Sequence, residues 1–528
     1  MIIDFNRRED DTRFEADLCI IGGGMAGLTI ARSLLGTHLR VLVVESGGLL
    51  RDAHVEALNQ ATSDGPTPLD LVSTRPRVLG GSTSAWGSFL TPLDASDFGA
   101  RASLPLHGWP FGIDVLAPYY RRAHAALALG PECFDARLWP LFGATPPAFD
   151  AAQLHVKFWQ LNSPSLFPLV SPQRFGELYR SELVNADNVR VLLNANAASI
   201  ATTDARGHVN ELALRGLSGR TAWVTARAFV LAGGAIENAR LLLLSELGGD
   251  HVGRCFMDHP HARIGTVLAQ DPRGLLETWA VRRRRGRVAL QPALCTTPQF
   301  QAAHDVLNAN VSVDIDRHPD CPTLAFSHIA EAVRARQRPP QLARDLLRIA
   351  RDPWTFTANA YRRVAQGSGV IPRVGALVLH CRSEQEPNPS SRVTLGRERD
   401  ALGMRRVHLA WRLTERDRRT LIATAQLLTT EFTRLGIGTI TPAAWLAEAN
   451  GWPDALSGGP HHSGTTRMAD DPGRGVVDRN GRVHGVDNLY VAGPSVFPTI
   501  GYANPGLTTV ALALRLADHL QGVARDPA

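Results

Sequence analysis

Asp17-Leu18-Cys19-Ile20-Ile21-Gly22-Gly23-Gly24-Met25-Ala26-Gly27-Leu28-Thr29-Ile30-Ala31-Arg32, followed after a short gap by Val41-Leu42-Val43-Val44-Glu45, is the stretch on which the fold turns. The apolar run at 18–21 has strand length, and it leads straight into Gly22-x-Gly24-x-x-Gly27. Beyond the glycines the apolar residues predict a helix through about Leu35, and Val41 to Val44 predict a second strand ending in an acid. Together these make one βαβ unit. Gly22 permits the tight turn, Gly24 lets backbone approach a pyrophosphate, and Gly27 lets the helix pack on the strand. The helix N-terminus offers N–H groups and partial positive charge to phosphate, and Glu45 is placed to hydrogen-bond the adenosine ribose. Glycine clusters alone mark ordinary turns. Strand, helix and terminal acid in register select a dinucleotide site, with NAD and FAD both open on these residues.

The remainder bounds what such a unit belongs to. At 528 residues the chain allows about three to four domain-sized units, or two large ones. Hydrophobic residues make up 44%, charged residues 20%, and mean hydropathy is -0.09, as expected of a globular chain with a sizeable core. The net charge of +6 raises the question of a polyanion partner. Every basic residue except Lys157 is arginine, however, and the arginines run through all segments, so no nucleic-acid patch is expected. The run Arg282 to Arg285 is expected to be a solvated face. Met1 to Glu15 is polar and charged, unlike a secretory signal, and no run of about 18 apolar residues predicts a membrane span. The six cysteines are scattered without C-x-x-C spacing, which argues against a disulfide framework or structural zinc and for a reducing, cytoplasmic location.

Further along, Arg77-Val78-Leu79-Gly80-Gly81-Ser82-Thr83-Ser84-Ala85-Trp86-Gly87 is a run of small residues ending against one large aromatic. It suits backbone lying close to a flat ring, or equally a plain tight turn with Trp86 in the core. A helix is expected over Tyr119 to Leu129 and a strand at Val189 to Leu193. Ala228-Phe229-Val230-Leu231-Ala232-Gly233-Gly234-Ala235-Ile236-Glu237-Asn238-Ala239-Arg240 is again strand, glycine turn and helix, so the sheet begun near residue 17 resumes some 200 residues later. Between about 265 and 455 such punctuation is missing, with helical stretches expected near 330–350 and 414–435.

The C-terminal part carries the densest signal: Gly459-Pro460-His461-His462-Ser463-Gly464-Thr465-Thr466-Arg467-Met468, then Asn488 to Ala492 as a last strand, Gly493-Pro494-Ser495, and Gly501-Tyr502-Ala503-Asn504-Pro505-Gly506. Asn504 as N-cap and Pro505 at the first position open a helix running to about Leu520. A helix N-terminus there would stabilise negative charge on a reduced flavin.

Taken together, these motifs resemble a glucose-methanol-choline (GMC) oxidoreductase over nearly the full length, nearest to bacterial members and to the pyranose-oxidase-like branch. The resemblance rests on the N-terminal glycines with Glu45, Leu79-Gly80-Gly81-Ser82, the turn at 231–240, Met257-Asp258-His259-Pro260-His261, and the C-terminal block. It implies an α/β fold: a Rossmann-like FAD-binding domain with an inserted substrate domain built on an antiparallel sheet flanked by helices. The expected division is 1–100, 185–264 and 455–528 for FAD, and 101–184 with 265–454 for substrate and connecting loops.

By position, the resemblance puts the catalytic base on His461, with His462 facing away, and the second catalytic position on Asn504. It implies that the CH–OH carbon of an alcohol or sugar yields hydride to flavin N5. His461 takes the hydroxyl proton and Asn504 hydrogen-bonds the same oxygen. The cofactor-binding positions it implies are Gly22, Gly24, Met25, Ala26, Gly27, Glu45, Ser46, Gly80, Gly81, Ser82, Ala85, Trp86, Ala232, Gly233, Gly493, Asn504 and Pro505. Two departures stand out. Ala85 occupies the position of the histidine that attaches FAD covalently in some members, so noncovalent FAD is expected; and Gly493 stands where many members carry an aspartate.

His259-Pro260-His261 has H-x-H spacing, which on a strand puts both rings on one face and could seed a metal site. No cluster completes it in the sequence, and no metal is expected. No G-x-S-x-G supports a serine hydrolase. The functional alternatives are an aminoglycoside or other natural-product alcohol oxidase and a non-redox lyase on the same flavin site. Oxygen or another electron acceptor, the substrate and the oligomeric state are left open.

Overall fold

The apolar run at 18–21 extends backwards in the folded chain: the strand is Arg13–Ile21, because Arg13 to Ala16 pair in register with Trp223 to Ala226 of the strand Thr221–Leu231. Pairing across the sheet, and not local apolarity, sets its start. The computed structural model describes the chain except residues 8–11, 163–173, 204–206, 284–287, 316–320, 335–337, 366–375, 449–450 and 524–528. Arg284 and Arg285 of the arginine run therefore lie outside the described residues.

Arg13–Ile21 lies between Val41–Val44 and Thr221–Leu231, all parallel. Val189–Leu193 and Ile2–Asp4 extend the sheet beyond Val41–Val44, while the antiparallel strands Val209–Arg215 and Asn196–Thr202 extend it the other way. Leu489–Val491 adds in parallel to Thr221–Leu231. Ile21 stands opposite Val44 and Leu231, and Leu231 opposite Val491. Four chain segments thus leave the sheet along one edge, at Gly22, Glu45, Ala232 and Ala492. The carboxyl edge of a parallel sheet is where such folds bind ligands.

Both faces of this sheet are covered, which is why its strands are continuous apolar runs without alternation. Ile20, Leu28, Ala31, Leu507, Val510 and Ala511 form one layer under the helices Met25–Ser33 and Gly506–Val523. Cys19, Leu42, Phe229, Ile236 and Ala239 belong to the other, on the side of helix Gly234–Leu244. Each such fully buried aliphatic side chain contributes roughly 1.5–3 kcal/mol.

The unpunctuated region forms the second sheet, all antiparallel: Arg282–Arg283, Val288–Thr296, Ala309–Ile315, Leu377–Ser383, His261–Ala269 and Gly438–Pro442 in that order, with Leu154–Asn162 also paired to Val288–Thr296. Helix Glu415–Arg434 backs it, capped reciprocally by Thr414 and Asp417 and burying Leu421, Ala425, Leu428 and Phe432. The expected fold class is thus the observed one. The stretch near 330–350 is three helices, Pro322–Arg334, Leu342–Arg351 and Pro353–Val364, divided near Pro339-Pro340 and before Pro353, where proline removes a backbone donor. The helix expected from Tyr119 starts earlier, at Ile113, and ends at Ala126. All six cysteines are free thiols. Among the described residues, no helix is long and apolar enough to cross a membrane.

Candidate functional site

The four strand ends meet a cradle of glycines. Gly22 has φ +114°, and a Cβ there would lie 2.5 Å from the Ala232 carbonyl oxygen, so the two glycine turns touch backbone to backbone. A Cβ on Gly27 would lie 2.0 Å from the Gly22 carbonyl oxygen. Gly81 abuts Gly24, its Cβ position 3.0 Å from the Gly24 Cα, and the Gly80 N–H donates to the Gly23 carbonyl at 2.7 Å. Gly493 has φ +101° and its Cβ position lies 3.9 Å from Ala26 Cβ. At Gly506 a Cβ would lie 3.2 Å from the Trp86 ring and 3.6 Å from Met25. The structure therefore gathers Gly22, Gly24, Met25, Ala26, Gly27, Gly80, Gly81, Trp86, Ala232, Gly493 and the start of the last helix around one space.

Side chains lock this frame. Glu45 is buried, and its carboxylate accepts N–H from Gly23 and Gly47 at 2.7 Å each, with Ser46 Oγ at 3.4 Å. Burial nevertheless pushes the Glu45 carboxyl above its ordinary range. Asn238 Oδ1 accepts the Gly233 N–H at 2.8 Å, and its Nδ2 donates to Ala492 O and Ser495 Oγ, tying the second glycine turn to the C-terminal strand. Ser82 and Ala85 sit at the 3-10 turn Gly81–Ser84, the Ala85 N–H bonding Ser82 O, and Trp86 packs edge-on against Phe175. The buried hydroxyls of Ser84, Ser88 and Thr91 have no hydrogen-bond partner among the described residues. Bare backbone, stranded hydroxyls and a helix start fit a flat cofactor with a polar edge and a pyrophosphate.

The second cluster lies at the loop 457–464. His259 Nε2 is 3.0 Å from Gly501 O, and His259 Nδ1 is 2.9 Å from His461 Nδ1. A carbonyl oxygen can only accept, so His259 carries its hydrogen on Nε2, and its Nδ1 is bare in the neutral ring. His461 must then donate from Nδ1, which leaves His461 Nε2 as the unprotonated nitrogen. This tautomer follows from the hydrogen-bond network. Both rings are kept neutral by burial, which lowers His259 to about 4 and His461 well below its ordinary value, the neighbouring His259, His261 and Arg382 adding to the latter.

Asp258 organises the same loop. Its Oδ1 accepts backbone N–H from His259 at 2.8 Å, His461 at 2.9 Å and Gly459 at 3.0 Å. Burial raises its carboxyl to about 7 against the pull of those three donors. His462 turns to the other side, its Nε2 3.9 Å from Asp258 Oδ2 and its ring beside Phe256. The strand opens only at His261, so Pro260 leaves His259 outside it, and the two rings of the H-x-H do not share a strand face. Asp258, His259 and His461 instead bring ligand-capable atoms within 4.8 Å of one another and are hydrogen-bonded together.

Asn504 stands in the turn whose Gly501 carbonyl holds His259. Its Nδ2 donates to Phe89 O at 3.2 Å, while the Pro505 carbonyl accepts the first helical bond, from the Thr509 N–H. The expected cap side chain is thus turned toward the Phe89 loop, and the helix proper is Gly506–Val523. His259 is the residue to which sequence reading gave no role, having weighed it only within an H-x-H pair and set the metal aside. The available signal was its direct succession to an acid just before the strand.

The family model described as GMC oxidoreductase matches residues 387–513. The chain is 26% identical to paromamine 6'-oxidase of Streptomyces fradiae over 98% of this chain and 93% of that one. It is 22% identical to the fructose dehydrogenase large subunit of Gluconobacter japonicus, covering 96% and 97%. Among solved structures, formate oxidase superposes with a TM-score of 0.56 at 17% identity, covering 98% of this chain and 99% of that one.

Proposed function

The chain belongs to the GMC oxidoreductases, FAD-dependent enzymes acting on CH–OH donors, and from that premise we propose that it oxidises a carbinol of a sugar, glycoside or related hydroxylated metabolite. FAD, when bound, supplies the acceptor for the hydride that leaves the carbinol carbon. The glycines at 22–27, 80–81 and 232–233 hold it, Glu45 faces its ribose, and Ser46, Ser82, Ala85, Trp86, Gly493 and Pro505 border it. Ala85 cannot form a histidyl bond, so attachment is noncovalent. The FAD portion is 1–100, 185–264 and 455–528; 101–184 and 265–454 form the substrate side.

His461 Nε2 accepts the hydroxyl proton, and Asn504 hydrogen-bonds the same oxygen. The observation that carries this reading is the His461–His259–Gly501 chain, which leaves one bare nitrogen on a neutral imidazole and ties it to the turn bearing Asn504. The similarity to paromamine 6'-oxidase favours a second substrate, an aminoglycoside alcohol. Free thiols support a reducing, cytoplasmic location. Oxygen or another acceptor completes the cycle.

Anaerobic mixing of the holoenzyme with sugars, glycosides, aminoglycosides and simple alcohols tests the proposal. Bleaching of the flavin by one class supports it, and no bleaching by any member while FAD stays bound turns the reading toward a non-redox use of the site. Acid precipitation separates the attachment modes: yellow flavin left in the supernatant supports noncovalent FAD, and flavin carried down with the protein overturns it.

A further inference from the structure

The antiparallel sheet turns a row of polar side chains toward the loop that holds His461. Directly opposite residues share a face, and the pairings His261 with Arg382, Arg382 with Asn310, Asn310 with Cys295, and Cys295 with His155 run across the sheet in one line. The interleaved residues Ala262, Cys381, Val311 and Leu294 belong to the apolar core. The polar line faces the reacting groups: Asn310 Nδ2 donates to Tyr502 O at 3.4 Å, and a Cβ on Gly459 would lie 2.9 Å from His461 Nδ1 and 3.0 Å from His261 Nε2.

Other charged groups on and beside this face are paired, whereas the buried ring nitrogens His261 Nε2 and His155 Nε2 have no hydrogen-bond partner among the described residues. Lys157 pairs with Asp94 at 2.8 Å, Ser312 donates to Asp314 at 2.7 Å, and Arg263 donates to Thr266 at 2.7 Å. Arg382 is half-buried, and among the described residues it makes no hydrogen bond and no ion pair within 4.0 Å. Burial lowers the guanidinium from its ordinary range and outweighs the attraction of Asp314. The surrounding imidazoles of His259, His261 and His461 are kept neutral by burial and offer it no negative charge. A half-buried guanidinium without a counter-ion is partly desolvated yet still open to solvent, so an anion can reach and complete it. Its planar fork of donors matches a carboxylate.

We propose that Arg382 is the anion-recognising residue of the substrate cavity, and that the alcohol oxidised at His461 carries a carboxylate, as a sugar acid or carboxylated glycoside does. The proposal rests on the alcohol-oxidation reading and narrows its substrate class. A carboxylate is favoured over a phosphate ester, because one guanidinium balances a single negative charge while a dianion would call for a cluster of donors. The same guanidinium opposes a polycationic aminoglycoside, since like charges brought together in a partly dry cavity repel. Binding also orients: with the carboxylate fixed on Arg382, the hydroxyl presented to His461 Nε2 is selected by its distance from that carboxylate.

Matched pairs test this on the holoenzyme: D-glucuronate against D-glucose, and D-galacturonate against D-galactose, with anaerobic flavin reduction giving kcat/KM for each. The acid member of at least one pair is expected to be preferred, and in Arg382→Gln the acid-to-neutral ratio is expected to fall about 30-fold or more, mainly through KM. Arg382→Lys, which keeps the charge but not the fork, is expected to fall between the two and serves if the glutamine variant does not fold. A binding arm uses acetate: saturable perturbation of the bound flavin's visible spectrum is expected in the wild type and is lost in Arg382→Gln. Preference for the neutral or amino sugar, or acetate binding equal in wild type and variant, overturns the proposal. If no alcohol bleaches the flavin, the oxidation reading fails, and the acetate arm still decides whether Arg382 is an anion site.

Discussion

His461 Nδ1 donates to His259 Nδ1 across 2.9 Å, and because His259 in turn donates to Gly501 O, the hydrogen on one imidazole dictates which nitrogen of the other is free. The proposed base is thereby oriented by a residue some 200 positions away, and that partner also grips the turn bearing Asn504. Four measurable consequences follow from the geometry.

His461→Ala removes the bare nitrogen that the His461–His259–Gly501 hydrogen bonds leave free. Flavin reduction by substrate is expected to fall by about 10²- to 10⁴-fold, the span usual for a general base, while FAD stays bound. Stopped-flow reduction of the purified holo variant checks it, and turnover near wild type refutes the assignment.

His259→Phe deletes both the acceptor for His461 and the donor to Gly501. Reduction is expected to slow roughly 10- to 100-fold, the scale typical of partners that orient a working histidine. His259→Asn can present a carbonyl to His461 and an amide to Gly501, so it should restore a substantial part of the rate. Equal rates for the Phe and Asn variants would reduce His259 to a packing role, as would an unshifted pH profile in both.

The lowered pKa of His461 places the acid limb of kcat/KM below 6.5, so activity should persist as pH falls through that value. Stability has a matching sign. Between 6.5 and about 4 the unfolded chain binds a proton that folded His259 refuses, so stability from this group is lost as pH falls through that window. Thermal melts from pH 7 down to about pH 4.5 should therefore show a smaller acid-induced drop in Tm for His259→Asn than for wild type.

Gly22→Ala puts a methyl where the Ala232 carbonyl oxygen already lies, 2.5 Å away, on a residue with φ +114°. Loss of FAD and a stability cost of about 1–3 kcal/mol are expected. Gly36→Asn is the contrast: φ is +71°, but nothing lies within 4 Å, and asparagine tolerates that conformation. Flavin content and Tm of the two variants decide the matter; equal flavin content would show that the glycine turns need not touch.

Much of the nucleotide-binding half was legible because its determinants are local. Strand, glycine turn, helix and acid follow one another within residues 17–45, and the same grammar recurs at 228–240 and 488–506. The long antiparallel sheet was legible only through resemblance, since its strands alternate a core-facing residue with a polar one directed at the loop that holds His461. His380-Cys381-Arg382 has the pattern of an ordinary solvent-facing strand, yet Arg382 stands opposite His261, beside the loop that carries His461.

What the sequence determined by itself is therefore the βαβ unit and the recurrence of its sheet, because spacing along the chain encodes short-range geometry; the candidacy of His461 and Asn504 came from the family resemblance. Only the tertiary structure decided the tautomer of His461, the part played by His259 and the solitary state of Arg382. A hydrogen bond or a missing counter-ion is a relation between residues distant in sequence. Whether a given arginine has a counter-ion cannot be told until its possible partners have been placed in space.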